Sequence, residues 1–337
     1  MEERIIDRLK PGFQRSAVSS AGFLSPSRRA FLAALSTTLV RAGERLPQNR
    51  NIKWAVSLGL WGHFPRVPFN DVLDVMQQTG FIGIRLTGYP GVLKSYDVTP
   101  EAVQRETARR GLQVVTISFN GPAQDPTQQE RYLAEGRRAM EFLKTCGANR
   151  LVCFPPNRTH LTDAAFKTMC QSFNRLGEIG GEMGFRVGLH NHLDQMVEKP
   201  DEIDRCMDLT DPKLFGFAPD TAHLLLGGAD PVKTIDRYHK RVVFLDYKDA
   251  RWTEPTADLK LPNGKVYPRE SRAAKFLNSI YDLGDGDVDF PGCHQVLKKM
   301  HYQGWICVDL DIARNGPKAS YQHCGRYVVN KLEPIYA

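Results

Sequence analysis

The sequence predicts a (β/α)8 barrel, an α/β TIM barrel preceded by an N-terminal leader, and three observations carry that expectation. From Lys53 onward, short β-branched or aromatic runs recur eight times, with amphipathic stretches of helix length between them. The eight units span about 260 residues, the length this architecture needs. A doubly wound sheet, the rival fold, would carry a Gly-rich phosphate turn after its first strand, and "SLGLWGHFP" lacks the GxGxxG spacing.

The first four strands are expected over residues 54–62 (WAVSLGLWG), 83–88 (GIRLTG), 113–121 (QVVTISFNG) and 150–156 (RLVCFPP). The second four are expected over 186–192 (RVGLHNH), 214–220 (LFGFAPD), 241–249 (RVVFLDYKD) and 304–311 (GWICVDLD). Helices are expected over 68–79, 99–110, 127–146, 163–184, 200–209, 231–239 and 290–302. Thr99 before Pro100 reads as an N-cap with proline at the first helical position, and Pro200 precedes an acidic first turn. The rhythm breaks at 250–285, a long and mostly polar segment within the barrel domain of 51–337, suited to a lid or substrate-facing loop.

An apolar fraction of 42% with 25% charged residues is ordinary for a globular domain, so neither a metal nor a disulfide is needed merely to fold. The net charge of +7 is not a nucleic-acid footprint. Residues 1–50 hold nine Lys/Arg against four acids, which places +5 there and leaves +2 for residues 51–337. The seven cysteines form no CxxC pair, and an odd count argues for free thiols.

The leader joins Arg28 and Arg29 to an apolar stretch from Ala30 to Val40, "SPSRRAFLAALSTTLV". The pattern resembles a twin-arginine export signal and predicts a periplasmic protein, with cytoplasmic residence as the alternative. The stretch is too short for stable membrane insertion.

In such a barrel the active site gathers at the C-terminal ends of the strands. The fifth strand ends in His190, Asn191 and His192; the sixth leads to Asp220 and His223. The seventh ends in Asp246, Lys248 and Asp249, and the eighth in Asp309 and Asp311. Residues two apart on a strand share a face, so His190 lies with His192 and Asp309 with Asp311. One imidazole and three carboxylates, from His190, Asp220, Asp246 and Asp309, suit one divalent ion: Mn2+ first, then Co2+, Mg2+ or Zn2+. Without a cation those carboxylates would repel one another. Asp249 and Asp311 read more simply as helix N-caps, and His239, His294 and His301 as surface residues of helices. His160 is left unplaced. Arg85, His63 and Asn191 are the candidates for gripping substrate.

On the segments "GLHNH", "PDTAHLLLGGADPVKTIDRYHKRVVFLDYKDAR", "LGDGDVDF" and "GWICVDLD", the chain resembles the xylose isomerase-like barrels, the sugar phosphate isomerases/epimerases, over roughly residues 53–315. The "HNH" strand end and the "DxxHLxxGGxDP" pattern are most similar to the inosose dehydratase branch. The resemblance implies one divalent ion held by a carboxylate, Asp, His and Glu from strands five to eight. By position those sites are His190, Asp220, Asp246 and Asp309, of which only Asp220 keeps the implied residue type. Arg85 stands where members commonly place Glu.

The resemblance also implies a pair of glutamates that shuttle a proton in the epimerases, and that pair is absent here. One-sided chemistry is therefore expected: proton abstraction α to a ketone, enolate formation with Lewis-acid help from the metal, then loss of a β-oxygen substituent. His192, His223 and Lys248 are the acid/base candidates. The expected substrate is a keto-sugar, keto-inositol or 3-keto-glycoside. A sugar isomerase/epimerase and, from another class, a non-catalytic sugar-binding barrel are the alternatives. An endonuclease IV-like phosphodiesterase is disfavoured by the near-neutral body and the scarcity of histidines. The partner is a small carbohydrate rather than nucleic acid, and homo-oligomerisation is left open.

Overall fold

The strands that carry the polar ends run parallel and curl into a closed barrel. They are β1 (Ile52–Ser57), β2 (Gly83–Leu86), β3 (Gln113–Phe119), β4 (Arg150–Cys153), β5 (Arg186–Leu189), β6 (Phe215–Phe217), β7 (Leu245–Tyr247) and β8 (Gly304–Val308). The computed structural model describes Leu46 and residues 51–336, so the twin-arginine expectation lies outside the described residues. The ladder runs β6-β5-β4-β3-β2-β1-β8-β7. It closes where the Val243 and Asp246 amides donate to the carbonyls of Phe217 and Pro219, at 2.8 and 2.9 Å. That closure sets Asp220 directly beside Asp246.

Each strand is shorter than its apolar run suggested, because the polar residues at its end leave the ladder to serve the barrel mouth. The first expected strand stops at Ser57, and Gly59–His63 winds into a 3-10 turn. The expected helices appear at Phe69–Gln78, Pro100–Arg109, Gln129–Thr145, Asp163–Met183, Pro200–Leu209, Pro231–Arg237 and Phe290–Lys299. Thr99 Oγ1 accepts from the Ala102 amide at 3.2 Å, the cap its sequence announced. Short helices at Thr221–Leu226 and Pro317–Tyr327 went unforeseen.

Inward-facing positions fill the lower barrel with apolar side chains, among them Ala55, Val152, Ala218, Val243, Phe244, Trp305 and Cys307. Gly83 and Gly216 make room for this plug: a Cβ at the first would strike the Trp305 ring, and at the second Val243. The next layer outward is polar, so the apolar plug serves as the floor of a site.

The segment 250–285 carries a two-stranded ribbon (Leu259–Lys260 with Val266–Tyr267), the helix Arg272–Asn278, and a short strand, Ile280–Tyr281, returning to pair with Asp249–Ala250. Asp249 is no N-cap. Its carboxylate accepts the amides of Ala250, Gly284, Gly286 and Val288 at 2.8–3.1 Å, tying the base of the segment together. Gly286 cannot carry a side chain, because its Cβ would collide with that carboxylate. His294 is likewise no surface residue. It is fully buried, its ring stacked on Trp54 (centroids 5.8 Å apart, 16° between planes) with Nδ1 3.2 Å from the Tyr247 hydroxyl.

Candidate active site at the barrel mouth

Alternation along the strands brings Ser57, Arg85, Ser118, His190, Asp220, Asp246 and Asp309 into one ring above the apolar floor, all of them buried. Lys248 enters the same space, only 1% exposed. Three carboxylates of this ring, with Asp311 at its rim, therefore face two cations.

The cations have definite partners. Arg85 Nη2 pairs with Asp309 Oδ2 at 2.7 Å and Nε with Asp246 Oδ1 at 3.3 Å, while Nη1 donates to Ser118 Oγ at 3.0 Å. Lys248 Nζ lies 2.7 Å from Oδ2 of both Asp309 and Asp311, and 3.2 Å from Asp220 Oδ2. Ser57 Oγ donates to the remaining Asp309 oxygen. Asp309, expected as a metal ligand, thus has both oxygens engaged by two cations and a hydroxyl. Arg85, expected to grip substrate, is only 2% exposed and spends its guanidinium on two strand-end carboxylates. Asp311, read as a cap, is a counter-ion of Lys248. Its place two residues beyond Asp309 is the signal that could have assigned it.

Burial and charge set the protonation states. Burial pushes Asp220 up to about 7, reinforced by Asp309 and Asp246 against the pull of Lys248. Burial does the same to Asp246, against Arg85. At Asp309 burial is outweighed by Arg85 and Lys248, which hold the carboxylate far below its usual range. Burial lowers all three histidines: His190 and His223 fall well below the ordinary imidazole value, with Lys248 adding to both, and His192 falls to about 3. Lys248 is raised well above its ordinary value, since Asp220, Asp309 and Asp311 outweigh its burial. The imidazoles are neutral and the ammonium stays charged.

Several buried atoms here have no hydrogen-bond partner: both ring nitrogens of His190, Oδ2 of Asp220 and both oxygens of Asp246. His190 Nε2 stands 3.8 Å from Asp220 Oδ2, and its Nδ1 stands 3.2 Å from Asp246 Oδ2. His190, Asp220 and His223 each offer one ligand atom, all within 4.8 Å of one another. His223 is partly engaged, its Nδ1 accepting the Leu193 amide and its Nε2 facing Lys248 Nζ, both at 3.3 Å. Orphaned lone pairs on the neutral His190 ring and on the Asp220 and Asp246 carboxylates, in a site with more carboxylates than cations, are what a divalent cation accommodates. The residues fit such an ion, with His223 joining His190 and Asp220 in the convergent set. Asp246 flanks the set through His190, and Asp309 lies outside it.

The remaining expected residues divide between the mouth and its frame. Asn191 clamps Asp220: its Oδ1 accepts the Asp220 amide at 3.0 Å and its Nδ2 donates to the Asp220 carbonyl at 3.3 Å. His192, half-buried, packs against His223 with centroids 3.8 Å apart and 35° between planes, and its Nδ1 meets the Leu193 carbonyl at 2.5 Å. That bond places the proton on Nδ1 and leaves the Nε2 lone pair open. His63 is half-buried in the 3-10 turn after β1; burial lowers its pKa, with Asp311 and Lys265 close by. His160 is exposed on a different turn.

Sequence reasoning missed two aromatic rings. Phe154, at the end of β4, stacks on His190 with centroids 4.1 Å apart. Phe276, from the helix in 250–285, stacks on His223 at 5.1 Å and 12°. The same segment reaches the 3-10 turn after β1 through Asn263, which donates to the carbonyls of His63 and Gly62 at 3.0 and 3.1 Å. Arg272 pairs with Glu198 at 3.0 Å and with Asp194. The segment therefore lies across the mouth, the place the sequence proposed for a lid.

A model of the xylose isomerase-like TIM barrels matches residues 73–324, three quarters of the chain. The chain belongs to this family. Inosose dehydratase of Geobacillus kaustophilus is 28% identical over 268 residues, covering 75% of this chain and 82% of that one. Among solved structures, the IolI protein with a bound zinc atom superposes with a TM-score of 0.66 at 14% identity, covering 85% of this chain and 99% of that one. The probable 3-DHS dehydratase AsbF of Bacillus anthracis gives 0.65 at 14%, covering 83% and 99%. Like its relatives in the family, the chain is an enzyme.

Proposed function

We propose that this enzyme is a divalent-metal-dependent dehydratase of a keto-sugar, keto-inositol or keto-glycoside, forming an enolate and expelling a β-hydroxyl as water. The observation that carries the reading is the opposed protonation of groups at one mouth: an open imidazole lone pair on His192 and a protonated ammonium on Lys248. Two groups held on opposite sides of neutrality are the arrangement of an acid and a base.

His190, Asp220 and His223 would hold the cation, with Asp246 beside them. Bound there, the ion supplies Lewis acidity to the substrate carbonyl, an effect worth several kcal/mol at the transition state. His192 Nε2 receives the proton from the carbon α to the ketone. Lys248, aligned by Asp309 and Asp311, donates a proton to the departing β-hydroxyl. Arg85 fixes Asp246 and Asp309 so that neither carboxylate swings into the substrate space. Phe154 and Phe276 keep water from the imidazoles. Among the described residues of the mouth the matched glutamate pair is absent, which favours elimination over epimerisation.

The inosose dehydratase relative and the AsbF fold neighbour support the reading. Its test is incubation of the purified enzyme with Mn2+ and a panel of inososes and keto-glucosides. The expected outcome is a metal-dependent enone absorbance and loss of water, with stoichiometric metal that the Asp220→Ala variant no longer retains. Metal-dependent epimerisation without elimination would overturn the reaction, and a well-folded protein that binds no divalent ion would overturn the metal.

A further inference from the structure

Beside the mouth lies a cavity of about 310 Å3, lined by Gly59, Trp61, Phe64, Arg66, Thr87 and Tyr96 among others. It adjoins the catalytic ring at the turns that follow β1 and β2. Gly59 opens the 3-10 turn two residues after Ser57, and Thr87 lies just past the end of β2, two residues after Arg85. A Cβ at Gly59 would come within 3.3 Å of Ser57 Oγ and 3.5 Å of Asp309 Oδ1. The Gly59 edge of the cavity thus lies beside the carboxylate that pairs with Lys248.

The lining has the chemistry of a carbohydrate subsite. Trp61, Phe64 and Tyr96 line it and are only half-buried, which leaves part of each side chain accessible. Trp61 is held rigidly: its indole N–H donates to the Tyr321 hydroxyl at 3.1 Å, which in turn donates to the Ser57 carbonyl at 2.9 Å. Fixed aromatic planes cover the C–H face of a pyranose, while the exposed Arg66 and the Thr87 hydroxyl offer partners to its hydroxyl rim. The volume lies at the lower end of the roughly 300–1,000 Å3 range of small-molecule sites, room for one ring and not for a chain.

We propose that this cavity binds the second sugar ring of a disaccharide-type substrate, so that the compound dehydrated is a keto-glycoside and not a free keto-sugar or inosose. The inference rests on the dehydratase reading for its reacting ring, and its test is arranged to be read separately. Titration calorimetry with glucose, cellobiose, lactose and trehalose, none of which bears a ketone, reports the cavity without turnover. At least one disaccharide is expected to bind ten-fold or more tighter than glucose, and Trp61→Ala and Tyr96→Ala to abolish that advantage while the thermal midpoint shows that each variant is folded. With the 3-keto forms of the same sugars, both variants should raise KM for the disaccharide about ten-fold and leave KM for 3-keto-glucose unchanged. Equal affinity for glucose and every disaccharide, or an advantage that survives both substitutions, would overturn the subsite. So would tighter binding of phenyl glucoside with no disaccharide binding. Failure to turn over any ketone while the disaccharide advantage persists would sink the dehydratase and leave the subsite standing.

Discussion

Replacing Arg85 by Leu removes the cation that joins strands two, seven and eight. The guanidinium is buried, 3.3 Å from Asp246 and 2.7 Å from Asp309. Asp309 retains Lys248 and Ser57, but Asp246 is left beside neutral His190 at 3.2 Å. Breaking a buried pair by removing one partner costs about 3–5 kcal/mol, because the other charge is stranded. Asp246 can escape part of that cost by taking a proton, and this gives the loss a pH signature. Burial already raises its folded pKa to about 7, above the unfolded carboxylate value, and loss of Arg85 raises it further. A folded state that binds a proton which the unfolded chain does not bind loses stability as pH rises, by about 1.4 kcal/mol per unit until the folded pKa is passed. In wild type this loss ends near pH 7; in the variant it continues above it. Urea unfolding at pH 6, 7 and 8, with a chelator present in every sample, measures the effect. A loss below about 1 kcal/mol, with the wild-type pH slope retained, would refute the account of Arg85 as the internal counter-cation.

Three further outcomes are expected. Burial lowers His294 to about 4, so its contribution is complete above about pH 6.5 and is lost as pH falls toward 4, at most about 3 kcal/mol in all; His294→Phe should flatten that acid limb in a chemical-denaturation series. Asp249→Ala strands four amides and should cost at least about 3 kcal/mol, with proteolysis concentrated in 250–285; an unchanged cleavage pattern would mean the segment is anchored elsewhere. If the leader directs export, Arg28→Lys with Arg29→Lys should shift the protein from the periplasmic to the cytoplasmic fraction, and unaltered fractionation would exclude that route.

The sequence was most legible where a local rule operates. Position at the strand ends gathered His190, Asp220, Asp246 and Asp309 at the barrel mouth, and Thr99 announced its own helix. It was least legible where partners are chosen across the barrel. Nothing near Arg85 in the chain reveals that β2 will meet the ends of β7 and β8, so an arginine that neutralises two aspartates looked like a substrate ligand. The same blindness hid Asp309 as a counter-ion and His223 as a member of the convergent set. His294 was misplaced because helical periodicity marks a helix's apolar stripe without saying whether a polar residue on that stripe finds a ring to stack on. Asp249 was misplaced because capping is local, whereas its four donors return to it only after the whole polar segment has been traversed.

That return has a consequence for how such enzymes diversify. Asp249 is the residue next to Lys248, and it gathers both ends of the 250–285 segment like a drawstring. Whatever lies between the ends can be lengthened, shortened or rewritten at small entropic expense without moving the ammonium one position away. A catalyst built this way can exchange its awning, and so the company it keeps, while its hearth stays untouched.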